Sequence, residues 1–166
     1  MTSFDINQLD TDLRGIDLRT FVKIPAILEL IEEHVNELVV NTLPLEIRNR
    51  EYSEASSWDV RIVRRSPGMY AVQDQWGQYT KGLVRGREGL PSSRTDRFKN
   101  SHRFPLAEAI DIAYKVAAKT TLNGMSASDY ILWCEAVDLT EAEAPEGLHL
   151  SIRDKYNELK AASQKA

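Results

Sequence analysis

The chain has 166 residues, 42% of them apolar, with 21 Lys plus Arg against 25 Asp plus Glu and a formal net charge of −4. That content of apolar side chains excludes wholesale disorder, and the length supports one or two small domains around a buried core. No apolar run approaches the roughly 18–20 residues that span a bilayer, and the first residues carry neither the basic flank nor the apolar stretch of a signal peptide.

Residues 1–24 read as a polar arm anchored by Phe4, Ile6, Leu9, Leu13, Ile16, Leu18 and Phe21, with a short helix over 6–14 ended by Gly15. Pro25 suits the first turn of a helix, where its missing N–H costs nothing. Ile27, Leu28, Ile31, Val35, Leu38 and Val39 then recur at spacings of three and four, which predicts one helix over 25–41, stopped by Asn41 and Pro44. Beyond it the period changes. Trp58, Val60 and Ile62 alternate with Asp59, Arg61 and Val63, the pattern of a strand with one buried face. Ser66-Pro67-Gly68 is a turn, residues 69–76 a returning strand, and residues 78–84 a third strand after the bend at Gly77. Residues 45–50 are the candidate fourth.

Residues 85–100 have no period, and Gly86, Gly89, Pro91 and the paired serines predict a mobile loop. A short strand over 101–104 precedes Pro105, which opens a second helix reaching residue 122. Its stripe of Leu106, Ala109, Ile110, Ala113, Val116 and Ala117 is small enough to pack closely on a sheet. Asn123-Gly124 reads as its left-handed cap. Ser126, with Asp129 three residues on, reads as the capped start of a helix that carries Tyr130, Ile131, Trp133, Cys134 and Val137. Residues 140–147 form an acidic linker. The tail places Leu148, Ile152, Tyr156 and Leu159 on one face, to dock on the core, pair with a second chain as a homodimer, or fray.

The expected fold is therefore α+β. An antiparallel three- to four-stranded meander packs against two main helices, followed by a C-terminal helical hairpin and a tail helix. The organisation is an arm (1–24), a core domain (25–139) containing the mobile basic loop 85–100, and an acidic linker with an amphipathic helix (140–166).

The mean charge conceals a segregation. Residues 1–59 carry 5 basic and 12 acidic side chains, residues 60–105 carry 10 and 3, and residues 106–166 carry 6 and 10. A mildly acidic chain with a strongly basic middle points to an anionic partner, or to a middle that neutralises its own flanks. The basic set is Arg61, Arg64, Arg65, Lys81, Arg85, Arg87, Arg94, Arg97, Lys99 and Arg103, interleaved with Trp58, Tyr70, Trp76, Tyr79 and Phe98. Arginines release counterions from phosphates and exposed aromatic faces stack on unpaired bases. On a half-buried meander, however, most of these aromatics are expected to fill the core. The first expectation is a non-enzymatic nucleic-acid-binding or nucleoprotein-associated accessory protein. The second is a regulatory or assembly factor whose basic surface meets an acidic protein.

Catalytic and cofactor patterns are thin. The run Arg85-Gly86-Arg87 lacks the Gly-Lys-Ser/Thr ending of a P-loop. The segment 123–131, a turn between two helices, resembles the helix pair of helix-turn-helix or ribbon-helix-helix DNA-binding proteins over residues 103–137. That resemblance implies a DNA-binding dimer only where a basic helix meets the groove. Here the second helix carries Asp129, Glu135 and Asp138 and no Lys or Arg over 127–139, so a generic helical hairpin is expected. His34, His102 and His149 lack metal-ligand spacing. His102, expected at the surface among Arg97, Lys99 and Arg103, is the candidate general base of a third reading, a nuclease or hydrolase. Asp59, Asp74, Glu88 and Asp96 are its available carboxylates. Asp96-Arg97-Phe98-Lys99 resembles the acidic–Lys element of restriction-type nucleases but is one residue too long, so on a strand the acid and lysine fall on opposite faces. The lone Cys134 reads as a buried structural residue that can form no internal disulfide and no Cys-based zinc site. No catalytic residue, cofactor or metal is therefore expected, and the expected setting is reducing and cytoplasmic, with no membrane partner.

Overall fold

The computed structural model describes residues 16–50, 55–87, 90, 94–143 and 151–166. The expected arm helix over 6–14 lies outside them. In chain order the elements are α1 (Pro25–His34), β1 (Glu37–Val40), α2 (Leu45–Arg48), β2 (Val60–Ser66), β3 (Met69–Gln73), β4 (Gln78–Tyr79) and β5 (Arg85–Gly86). There follow α3 (Asp96–Ser101), α4 (Leu106–Ala117), β6 (Thr121–Leu122), β7 (Met125–Ser126), α5 (Ala127–Glu143) and α6 (Ile152–Lys165). The fold is α+β, with β1 to β5 forming one antiparallel sheet in sequential order and β6–β7 a separate hairpin. Among the described residues no helix is long and apolar enough to cross a membrane.

The described chain divides into two compact units. Residues 16–42 and 56–119 form the first, and residues 43–50, 55, 120–143 and 151–166 the second. In the first unit, strand alternation sends Val60, Ile62, Tyr70, Val72, Leu38 and Val40 to one face of the sheet, and the pairing of Leu38 with Ile62 and of Ile62 with Val72 keeps them in line. α4 covers that face with Leu106, Ala109, Ile110, Ala113, Val116 and Ala117, all buried. Small residues let the helix backbone approach the sheet closely, as expected from the stripe. Pro105 caps α4 in an extended conformation, and just before it Phe104 exchanges two backbone hydrogen bonds with Tyr70 at 2.8 and 2.9 Å. Leu18, on a short 3-10 turn, is also buried, and its N–H donates to the Tyr114 hydroxyl at 2.9 Å.

Several boundaries differ from the sequence expectation. The helix expected over 25–41 stops at His34, and residues 37–40 form β1. The spacing of Val35, Leu38 and Val39 fits a helical stripe, but Leu38 and Val40 are buried while Glu37 and Val39 are exposed, which is a period of two. Pairing with β2 satisfies this backbone where a longer helix would leave the sheet edge bare. Within residues 45–50, the candidate fourth strand, Leu45–Arg48 form the short helix α2 instead. The returning strand ends at Gln73, and residues 78–84 yield only the two residues of β4 before the chain turns into β5. The meander thus has five strands. The basic loop expected over 85–100 contributes β5 and the helix α3, capped by the Thr95 hydroxyl, which accepts from the Phe98 N–H at 3.2 Å. Residues 88–89 and 91–93 lie outside the described chain.

The second expected helix ends at Ala117 rather than at 122. Asn123 and Gly124 have φ of 51° and 77°, the pair of left-handed residues that a two-residue hairpin requires, so they join β6 to β7 rather than cap a helix. Ser126 does cap α5: its hydroxyl accepts from the Asp129 N–H at 3.1 Å and donates to the Asp129 carboxylate at 3.0 Å. α5 runs through Thr140 to Glu143, where a linker was expected, with the Thr140 hydroxyl donating to the Ala136 carbonyl at 2.6 Å. Cys134 is buried, as expected of a structural residue. α6 packs on α5 through Trp133 and Tyr156, whose ring centroids lie 5.6 Å apart, and through an ion pair from Lys160 to Asp129 at 3.2 Å. Of the expected apolar face of the tail, Tyr156 thus meets its own chain, and Leu148 lies outside the described residues.

Ile110 is fully buried beneath the sheet, so Ile110→Ala is expected to lower unfolding free energy by about 2–5 kcal/mol in a denaturant titration. Burial also pushes the phenols of Tyr70, Tyr79 and Tyr114 above their ordinary value. Their contribution to stability is complete below the unfolded value of about 10 and is lost as pH rises through the higher folded values. Thermal melts should therefore hold below pH 10 and fall at higher pH.

Candidate nucleic-acid interface

The sheet of the first unit has α4 on one face. The alternate residues of β1 to β3 point the other way: Glu37 and Val39, then Arg61 and Val63, then Met69, Ala71 and Gln73, with Arg65 at a β-bulge between Arg64 and Ser66. Arg61 and Arg65 are exposed. The Arg65 guanidinium donates to the Gln73 side-chain oxygen at 2.7 Å. Ala71, on the same face, is fully buried. Arg61 faces Glu37 across the strand pair at 3.7 Å, both side chains about half exposed.

Gln73 leads into the β3–β4 turn, which is built on Asp74. One carboxylate oxygen of Asp74 accepts from the N–H groups of Trp76 and Gly77 at 2.8 and 3.0 Å. The other accepts from the Tyr79 hydroxyl at 2.6 Å and from Arg85 at 2.8 Å, and Arg85 also donates twice to that hydroxyl, at 3.1 and 2.8 Å. The Asp74 side chain is 5% exposed, a buried carboxylate with its acceptor sites filled. Its bond to the Tyr79 hydroxyl and the neighbouring carboxylate hold the Arg85 guanidinium above its ordinary value. Trp76, at the tip of this turn, is 55% exposed. With Gln73, Gln75, Gln78 and Arg87 it lines a shallow depression of about 260 Å³.

The ten basic residues therefore separate by role. Arg85 is locked onto Asp74 and Tyr79. Arg103 donates to the Gln78 side chain at 2.6 Å and to the His102 carbonyl at 3.0 Å. Lys81 pairs with Glu108 of α4 at 2.9 Å, and Lys99 with Asp96 at 3.8 Å. Arg94 is half-buried at the approach to α3. Arg61 and Arg65 lie on the face opposite α4 and are exposed. The guanidinium groups of Arg64, Arg87 and Arg97 make no hydrogen bond or ion pair among the described residues. Of the interleaved aromatics, Trp58, Tyr70 and Tyr79 are buried and Phe98 is half-buried, which leaves Trp76 as the exposed ring. Sequence reasoning missed Gln73 and the turn-building role of Asp74. The signal was present in Asp74-Gln75-Trp76-Gly77, with Asp at the first and Gly at the fourth position of a tight turn.

His102 corrects the expectation of a surface histidine. It is 7% exposed and stacked on Phe98, with centroids 3.9 Å apart and rings 10° from parallel. Its Nδ1 lies 2.9 Å from both the Phe98 carbonyl and the Ser101 hydroxyl, while Nε2 is buried without a partner against Gly86. An imidazole enclosed in this way offers no atom to a substrate. Asp96 and Lys99 share a helix rather than a strand, which places them on the same side, contrary to expectation. Asp59 accepts from the Asn41 amide at 2.8 Å, Asp74 is turned inward, and Glu88 lies outside the described chain. Among the described residues no group of three or more His, Cys, Asp or Glu is placed to hold a metal ion.

No protein-family model, curated protein or solved structure matches this chain.

The close approach of β5 to α3 is testable. A Cβ on Gly86 would stand 2.9 Å from His102 Nε2. Gly86→Ala is expected to destabilise the protein by about 1–3 kcal/mol. In a double-mutant cycle, His102→Ala should recover part of that loss, with a coupling of about 0.5 kcal/mol or more read from denaturant midpoints.

Proposed function

We propose that this protein binds nucleic acid through the sheet face opposite α4 and the β3–β4 turn, as an accessory protein rather than a catalyst. The observation that carries the reading is the continuous run from Arg61 and Arg65, through Gln73, to Trp76 and Arg87. Cations on a sheet face meet phosphates without blocking approach, and amide side chains beside them donate and accept at base edges. Arg64 and Arg97 add positive charge in the same compact unit.

A second reading, an acidic protein surface, draws on the carboxylates that these cations already hold within the chain. Glu37, Asp96 and Glu108 pair with Arg61, Lys99 and Lys81 at the surface. Such exposed pairs are worth about 0–1 kcal/mol and exchange readily for a competing anion.

Affinity for an oligonucleotide, followed by fluorescence anisotropy, should fall linearly on logarithmic axes as salt rises. Arg61→Gln and Arg87→Gln should each reduce that slope by about 1. Salt-independent binding, or tighter binding to polyglutamate than to the oligonucleotide, would overturn the nucleic-acid reading, and the second of these would favour the protein reading.

A further inference from the structure

We propose that the β3–β4 turn is a stacking seat for one unpaired base, so that the nucleic acid bound is single-stranded. The inference rests on the nucleic-acid reading above and deepens it.

Trp76 is the starting point. Trp58 is 2% exposed and Trp133 is half-buried, as a large apolar ring ordinarily is, whereas Trp76 is 55% exposed. More than half of its surface faces solvent, which a packing role in the core would not require. Its backbone is nonetheless held firmly. The N–H groups of Trp76 and Gly77 both donate to Asp74, and the Asp74 N–H donates to the Gly77 carbonyl at 3.0 Å. Asp74 is in turn fixed by Tyr79 and Arg85. Gly77 sits so close to β5 that a Cβ on it would stand 2.6 Å from the Gly86 carbonyl oxygen, which pins the far side of the turn. An aromatic ring displayed on a fixed turn loses little backbone freedom when a ligand arrives.

The surroundings fit one base. The depression beside the indole, about 260 Å³, falls below the roughly 300–1,000 Å³ of pockets that enclose a drug-sized ligand. It is also open, so a flat ring system rests on it with its sugar and phosphate outside. Gln73 and Gln75 supply amide donors and acceptors at the edge of that ring. Arg87, exposed and with no ion-pair partner among the described residues, stands at the rim for the adjoining phosphate. A base within a duplex has both faces covered by its neighbours, so an indole can stack only on a base that is unpaired or splayed out.

The test is fluorescence anisotropy on the full chain with four labelled probes of about ten nucleotides: oligo-dT, oligo-U, an abasic deoxyribose-phosphate oligomer and a duplex. Both base-bearing single strands should bind more tightly than the duplex, and the ratio of oligo-dT to oligo-U reads any preference for the sugar. Trp76→Ala should weaken base-bearing single strands by between about fivefold and a hundredfold. It should leave the abasic probe and the salt slope unchanged, while Trp76→Phe retains most of the affinity. Equal affinity for single strand and duplex, or no loss in Trp76→Ala, would overturn the seat. If Arg61→Gln still reduces the salt slope in that case, the nucleic-acid reading stands without it. If no probe binds in a salt-dependent manner, both fall.

Discussion

Packing of α4 against one face of the β1–β3 sheet governs the architecture of the first unit. The helix can approach only because its contact stripe is mostly alanine, valine and isoleucine, and it seals Val60, Ile62, Tyr70 and Val72 beneath it. Because strand side chains alternate, burying these residues forces Arg61, Val63 and Gln73 to the opposite face, where Arg65, at the irregularity between Arg64 and Ser66, joins them by its bond to Gln73. The basic character of that face is thus a geometric consequence of the same alternation that builds the core.

The charge segregation along the chain resolves into two kinds of cation. Arg85 is structural: it completes a carboxylate whose side chain is 5% exposed, and removing it would take a charged donor from Asp74. Lys81 and Lys99 are surface cations with surface partners, which contribute little to stability. Arg61, Arg65 and Arg87 remain at the edge of solvent, in line with the one exposed indole among the aromatics of the basic stretch. The basic middle therefore does both things that its composition allowed, partly neutralising its own acidic residues and partly facing outward.

The hairpin at Pro67-Gly68, the α4 stripe, the Ser126 cap and the core role of most aromatics were legible because each rests on a local rule. What was not legible rests on competition between rules. Residues 35–40 satisfy both a helical and a strand period, and the choice was made by pairing with β2, which no local pattern encodes. Asn123-Gly124 suits either a helix end or a hairpin, and the short strands β6 and β7 on either side decide it. In the basic stretch, sequence named the cations but could not say which would be tied down. Arg85 and Arg103 are held by Asp74, Tyr79 and Gln78, and those contacts exist only once β4 and β5 are paired. His102 looked exposed from its charged neighbours, yet it is buried, stacked on Phe98 with Gly86 of β5 close against its Nε2.

Chemical-shift mapping during a titration with a single-stranded oligonucleotide reports on every backbone amide and on the indole N–H groups at once, and so locates the bound strand on the protein. Binding at the sheet face and the β3–β4 turn should give the largest shifts at Arg61, Arg65, Gln73, Gln75, Trp76 and Arg87, with the Trp76 indole among them and the Trp58 indole unmoved. Shifts concentrated in α5 and α6, or none at saturating oligonucleotide, would contradict it.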